Sequence, residues 1–119
     1  MNVLGNGLHV AGHYEEALSV KEALLSMERR LGAPEGAILA SQGNLAITYE
    51  EVGRLEEALR LKQGVFSGRL KLHGEEHERT LRAANNYAVS LVSLERFEEA
   101  KALLRKTIPV ARRVLNEGN

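Results

Sequence analysis

His13-Tyr14-Glu15-Glu16-Ala17-Leu18 is the stretch that decides the fold, because the chain repeats its pattern twice more. It returns as Arg54-Leu55-Glu56-Glu57-Ala58-Leu59 and again as Arg96-Phe97-Glu98-Glu99-Ala100-Lys101. The interval from Ala17 to Ala58 is 41 residues, and that from Ala58 to Ala100 is 42. A fixed period of about 20 to 50 residues is typical of stacked repeat proteins. The sequence therefore predicts an array of three repeats.

The composition favours helices and excludes several kinds of site. The 16 acidic and 16 basic residues cancel, so no net charge draws the protein toward nucleic acid or an anionic membrane. The absence of cysteine excludes disulfides, thiolate zinc sites and a cysteine nucleophile. No nucleophile and base, paired catalytic carboxylates or phosphate-binding loop can be assembled from the remaining residues, so we expect no enzymatic activity and no cofactor.

No apolar run approaches the roughly 20 residues that span a bilayer. The first residues lack the basic and apolar regions of a signal peptide. We therefore expect a cytoplasmic protein without membrane contact.

The apolar spacing after each Glu-Glu-Ala block is helical and predicts the second helix of a hairpin. Gly32, Gly74 and Asn116 lie about one helix length further on. Gly and Asn tolerate the left-handed conformation that follows many helices, so these residues are predicted to end the three second helices. The first helices are predicted over 36–52 and 78–94, with a shortened one near 2–11.

The turns inside the hairpins carry their own signal. Gly12 and Gly53 are predicted to close the turn in two repeats, and Glu95 occupies that place in the third. If the turn needs a positive φ, Glu95 costs about 1 kcal/mol there. Pro109 lies inside the last helix, where we expect a kink or a break and restart. Gly64 and Gly68 share one face, which indicates tight packing between repeats or, alternatively, a dimer contact.

The stretch 72–88 resembles the repeat of kinesin light chains, a long variant of the tetratricopeptide repeat. That repeat has the pattern L-G-x-x-H-P-x-T-L-x-x-x-N-N-L-A followed by Y-x-x-x-G-R-Y-E-E-A. The matching residues in the third repeat are His77, Thr80, Leu81, Asn85, Asn86 and Ala88, while Glu78 replaces the proline. Those in the middle repeat are Leu31, Gly32, Leu39, Asn44, Leu45, Ala46, Tyr49, Gly53, Arg54, Glu56, Glu57 and Ala58.

The resemblance covers essentially the whole chain. It implies an all-α fold, a right-handed α-solenoid of three tetratricopeptide-like helical hairpins with about six helices. We predict a single tetratricopeptide-repeat domain over 1–119, with repeats at approximately 1–32, 36–74 and 78–116.

The pattern also predicts how hairpins pack. Small residues let helices approach closely, and these are Ala46, Ala58, Ala88 and Ala100. Large residues are expected to fill the space between hairpins, and these are Leu45, Tyr49, Leu55, Tyr87, Leu91 and Phe97. No polar capping helix follows the last hairpin, so we expect its outer face to be partly uncovered. The chain would then be a fragment of a longer array, or it would self-associate through its uncapped ends.

First helices line the concave side of such arrays, where these proteins bind peptides. Helical geometry places one set of residues on the face opposite the core. The predicted groove residues are Asn6, His9, Asn44, Ile47, Glu50, Glu51, Arg82, Asn85, Asn86 and Val89. The alternative is that they are ordinary surface positions.

Individual groove residues have structural alternatives. Asn44 and Asn86 can hold a peptide backbone, or they can satisfy backbone groups of a neighbouring helix. Arg82 can grip an acidic group on a ligand, or it can pair with Glu78 one turn earlier. His73 and His77 have a metal-ligand spacing on a continuous helix, but Gly74 interrupts it, so we predict no metal site. The last helix is locally basic, which favours a solvated face over binding of RNA or an acidic partner.

The function indicated by these residues and by the resemblance is a protein- or peptide-binding scaffold that uses the concave groove. Its partner would be a protein or peptide, and no nucleic acid is expected. The alternative is a structural or oligomerising repeat segment of a larger multidomain signalling protein, with no ligand of its own.

Overall fold

The computed structural model describes the backbone of residues 3–117 and the side chains of residues 12–116. This part of the chain contains five helices and no strand. The helices are α1 (Val3–Leu31), α2 (Glu35–Glu51), α3 (Leu55–His73), α4 (Glu78–Ser93) and α5 (Phe97–Glu117). The bounds of α2 and α4 agree with the predicted first helices to within one residue, a difference that helix ends commonly show.

The first repeat differs from its prediction, because α1 is one continuous helix that passes through Gly12. The predicted turn at Gly12 is therefore wrong. A glycine costs a helix only about 1 kcal/mol relative to alanine, so it does not end a helix by itself. Asn116 was predicted to end α5 and also lies within its helix. Asn has only a weak preference for the position after a helix, and the assigned end lies one residue further on.

The turns that follow α2 and α4 have the same geometry. Gly53 has a φ of 83° and Glu95 a φ of 59°, and no other non-glycine residue of the described chain has a positive φ. In both turns the next residue donates its backbone N–H to a carbonyl near the helix end, from Arg54 to Tyr49 at 2.8 Å and from Arg96 to Leu91 at 2.8 Å. The condition under which Glu95 was expected to be costly, a turn that needs a positive φ, is therefore met.

Two irregular positions were singled out in the sequence. Helix α5 continues through Pro109, so of the two predicted outcomes the break and restart do not occur, and the kink stays a prediction. Pro109 and Arg105, whose carbonyl loses its usual helical donor, are both exposed, and water can reach that carbonyl. A Cβ atom at Gly64 would meet no atom within 4 Å, so the tight packing predicted there is wrong for Gly64, whereas packing at Gly68 and the alternative of a dimer contact stay predictions.

The chain forms two compact units, residues 1–61 and residues 62–119. That all 119 residues act as a single domain remains a prediction. In the first unit, α1 and α2 enclose a core with the start of α3, formed by Leu18, Leu25, Leu45, Tyr49 and Ala58. In the second unit, α4 and α5 contribute the buried residues Ala83, Ala84, Ala88, Leu91, Ala100 and Val110.

The packing rules hold for the small residues and for only some of the large ones. Ala46, Ala58, Ala88 and Ala100 are all at least 96% buried, as predicted. Leu55 and Phe97 were expected to fill the space between hairpins but are 38% and 49% exposed. Each is the first residue of its helix and follows a tight turn.

Candidate binding surfaces

The outward face of α2 carries the residues predicted for a ligand site in the first unit. Asn44, Ile47 and Glu51 are exposed and Glu50 is half-buried, while Leu45 and Tyr49 on the opposite face are buried. Ile47 is the apolar centre of this face and is 52% exposed. Two further predicted residues, Asn6 and His9, lie outside the part of the chain whose side chains are described.

The outward face of α4 repeats this arrangement in the second unit. Arg82, Asn85, Asn86 and Val89 are all exposed. Val89 lies 42 residues after Ile47 and is 55% exposed, so each unit presents a β-branched side chain at the same repeat position. The face thus combines one apolar centre with amide and charged groups in both units.

Arg82 forms the local ion pair that its spacing allows. Its Nη2 donates to the Glu78 carboxylate one turn earlier, and both side chains are largely exposed, 68% and 77%. An exposed pair of this kind contributes about 0–1 kcal/mol. A ligand carboxylate could therefore replace Glu78 at small cost.

A partly buried hydrogen bond joins α2 to α1, and sequence reasoning missed it. The Lys21 ammonium donates to the Thr48 hydroxyl at 2.7 Å, and that hydroxyl donates to the Asn44 carbonyl at 3.3 Å. Thr48 is only 1% exposed. The hydroxyl thus uses both its donor and its acceptor capacity, and rotation of α2 relative to α1 would break the bond to Lys21.

The same bond recurs in the second unit. Lys62 donates to the hydroxyl of Ser90 at 2.8 Å, and Ser90 is 3% exposed. The two lysines are 41 residues apart and the two hydroxyl residues 42 apart, the period of the array. That spacing is the signal that could have revealed the bond. In each unit it holds the first helix with Ile47 or Val89 directed outward.

A second surface of the first unit is a depression of about 510 Å³ lined by α1, α2 and α3. Three of its polar residues, Glu22, Tyr49 and Glu57, form hydrogen bonds within the protein. Glu22 accepts from the Tyr49 hydroxyl at 2.9 Å, and Glu57 accepts two hydrogen bonds from Arg54 at 2.6 Å each. Burial, together with the hydrogen bond to Glu22, raises the pKa of Tyr49, and the Arg54 bonds lower the pKa of Glu57. The bond between Glu22 and Tyr49 joins α1 to α2 at this depression.

His73 and His77 stack on each other with ring centroids 4.2 Å apart. The Arg79 backbone N–H donates to Nδ1 of His77 at 3.0 Å, so this histidine caps α4. Burial, followed by the nearby His77, Arg69 and Arg79, lowers the pKa of His73. Among the residues that the structure describes, no group of three or more His, Cys, Asp or Glu side chains could hold a metal ion.

Helix α5 places its basic residues in two groups. Lys101 pairs with Glu98 at 3.3 Å, and Arg113 pairs with Glu75 and Glu76 at 3.7 and 2.7 Å. Arg105 and Arg112 lie exposed beside the apolar residues Leu104 and Ile108. This helix therefore presents an apolar strip with a basic border.

Residues 38–113 match the family model of the tetratricopeptide repeat. The chain belongs to the tetratricopeptide repeat family. Repeats of this family are in general non-catalytic scaffolds for protein interaction. Curated protein sequences include no match to this chain.

A solved structure with the same fold is a kinesin light chain protein of Podosopora anserina with nearly identical TPR-like repeats. The identity is 23% and the TM-score 0.75, over 95% of this chain and 54% of the other. The chain thus spans about half the length of that protein. The match confirms the predicted all-α fold of tetratricopeptide-like repeats, with five helices in the described chain where about six were expected.

None of the helices in the described residues combines the length and the apolar character that a membrane span requires.

Proposed function

We propose that this protein is a scaffold that binds a peptide or protein partner through the exposed faces of α2 and α4. In this proposal these faces line the concave groove of the array. The observation that carries the proposal is the pair Ile47 and Val89. Both are about half exposed, and they occupy one repeat position in the two units. An isolated exposed apolar residue needs no explanation, but a repeated one surrounded by polar groups has the composition of a peptide-binding surface.

The polar residues of these faces supply complementary recognition. The exposed amides of Asn44 and Asn86 each offer donors and an acceptor, which suits the backbone of an extended peptide. Glu51 gives the α2 face negative charge, whereas Arg82 gives the α4 face a guanidinium that can clasp a carboxylate. We expect the partner to carry an apolar side chain near each of Ile47 and Val89, with an acidic group near Arg82.

The experiment is a peptide-display selection on the unmodified chain and on two variants. Arg82→Glu with Asn85→Ala changes the α4 face, and Ile47→Glu changes the α2 face. Ala102→Glu is the matched control, because Ala102 is also exposed but lies on α5. All replaced residues are exposed, so thermal melts should change little.

We expect one enriched motif on the unmodified chain and on the control, and its loss on both face variants. If the folded face variants enrich the same motif, the faces do not bind it. If no motif is enriched on any folded protein, the alternative of a structural or oligomerising segment is favoured. Sedimentation at increasing concentration then tests whether the chain self-associates.

A further inference from the structure

We propose that the outer face of α5, formed by Leu104, Ile108, Ala111 and Leu115, is a docking surface for an acidic amphipathic helix of a partner protein. The inference is independent of the α2 and α4 faces. The other second helices of this chain, α1 and α3, each pack against the helix that follows.

In the first unit, three positions of α1 pack on the first helix that follows. Lys21 donates to Thr48 of α2, and Glu28 accepts from Ser41 of α2 at 2.5 Å. Between them Leu25 belongs to the core with Leu45 and is only 6% exposed. Residues 21, 25 and 28 are spaced by four and three, so they form one helix face.

In the second unit, the equivalent positions of α3 pack on α4 in the same way. Lys62 donates to Ser90, and Phe66 contacts Tyr87 with ring centroids 6.2 Å apart. The third position, Arg69, accepts at its backbone carbonyl from the buried hydroxyl of Thr80 at 3.1 Å. A first helix therefore covers these three positions in each unit.

The next members of the series, 42 residues further on, are Leu104, Ile108 and Ala111 of α5. Ile108 is 42% exposed, in contrast to 6% for Leu25 at the same repeat position. Leu115 extends the strip and is 68% exposed. Leu104, Ile108 and Pro109 also line a depression of about 340 Å³ with Lys101 and Arg105 at its edge. Leu104 and Ala111 are half-buried, whereas Ile108 and Leu115 are exposed, so the described chain covers this face of α5 only in part.

The side chains of this face determine what can cover it. Leu104 replaces the lysine of the other two faces, so it cannot satisfy a hydroxyl such as those of Thr48 and Ser90. Ala111 replaces the larger Glu28 and Arg69, which lets a helix approach more closely. The occupant should therefore be a helix with apolar residues where α2 and α4 have Thr48 and Ser90.

The charge around the face identifies the partner further. Arg105 and Arg112 are exposed beside the strip, and Lys101 lies at the edge of the depression. Two copies of α5 packed face to face would bring these cations together, which disfavours a second copy of this chain as the occupant. An acidic border on the partner helix would complement them.

The probe is a synthetic helical peptide with the α4 sequence, residues 78–93, changed by Thr80→Val, Ser90→Leu, Arg79→Glu and Arg82→Glu. These changes remove the two packing hydroxyls and make the exposed side acidic. The unchanged α4 peptide is the matched control. Binding to the full chain is measured by fluorescence anisotropy, and the oligomeric state of the chain by sedimentation.

We expect the changed peptide to bind at least about tenfold more tightly than the unchanged one. Ile108→Glu should weaken it by about tenfold or more, because apolar burial is lost. Arg105→Glu should weaken it several-fold in a salt-dependent manner. Ala102→Glu, also exposed on α5 but on the other side of the helix, should leave binding unchanged.

The proposal is overturned if neither peptide binds, if both bind equally, or if Ala102→Glu weakens binding as much as Ile108→Glu. It is also overturned if the chain dimerises and only Ile108→Glu abolishes the dimer, since a second copy would then be the occupant. Circular dichroism checks that each variant is folded. If Ile108→Glu is not, the exposed Arg105→Glu decides.

Discussion

The hydrogen bond between Lys21 and Thr48 should be one of the strongest single polar contributions to the first unit. The bond is 2.7 Å long, its donor is charged, and its acceptor is 1% exposed. Hydrogen bonds to charged groups contribute about 1.5–3 kcal/mol. Lys21 is half-buried, so water can partly replace the lost acceptor, and we expect Thr48→Val to lower the free energy of unfolding by about 1.5 kcal/mol.

A double-mutant cycle isolates the bond. In the double variant, Lys21→Met with Thr48→Val, both partners become apolar groups of similar shape. Such a replacement can be nearly neutral. We therefore expect the double variant to lie within about 1 kcal/mol of the unmodified protein, with a coupling energy of about 1–2 kcal/mol.

The assay is urea unfolding followed by far-ultraviolet circular dichroism. The matched control is the exposed pair of Lys101 and Glu98, tested with Lys101→Met and Glu98→Gln. Its coupling should stay below about 1 kcal/mol because surface ion pairs contribute little. If the two single costs of Lys21→Met and Thr48→Val simply add in the double variant, the bond does not couple the helices and the reasoning is refuted.

Three further predictions concern the turns and the α3–α4 connection. Glu95→Gly should stabilise the protein by about 1 kcal/mol in urea unfolding, because Glu95 has a φ of 59°, and Gly53→Ala should destabilise it by a similar amount. Changes of the same sign in the two variants would contradict this. The His73 ring should titrate below its ordinary pKa of 6.5 in an NMR titration. With a lowered pKa in the folded protein, His73 binds a proton more readily in the unfolded chain. Its contribution to stability is therefore complete above about pH 6.5 and falls as the pH decreases toward the lowered pKa. A His73 pKa above the ordinary value would contradict this. Thr80→Val should cost about 1 kcal/mol because it removes the buried hydroxyl that donates to the Arg69 carbonyl, whereas an unchanged unfolding midpoint would show that this bond adds nothing.

The sequence predicted local structure correctly where a residue position corresponds to a single backbone geometry. The period of the array placed Gly53 and Glu95 in equivalent turns, and both residues have a positive φ in the structure. The prediction failed at Gly12, where a glycine signals only a permitted turn and the helix continues. A pattern of apolar spacing also could not show that Leu55 and Phe97 are exposed, because exposure depends on which helix lies nearby.

The candidate surfaces show the same limit. Helical geometry placed Ile47 and Val89 on one predicted face, and both are exposed in the structure. The bonds from Lys21 and Lys62 were missed because lysine is usually a surface residue, and neither partner hydroxyl stands out in a helical pattern. Only the coincidence of two spacings, 41 residues between the lysines and 42 between the hydroxyls, connects them. A repeat protein thus allows long-range polar contacts to be inferred by comparing its own repeats.

Comparison of the repeats also supports the proposal that a helix docks on the α5 face. Lys21 and Lys62 each donate to a hydroxyl of the helix that follows, α2 in the first unit and α4 in the second. At Leu104 the series changes from lysine to leucine, and at Ala111 it changes from a large polar residue to a small one. Apolar side chains do not stabilise a face that only contacts water, since exposing Ile108 and Leu115 to water is unfavourable. The replacements suit a helix that brings apolar residues to this face, and the bordering arginines suit one that is acidic.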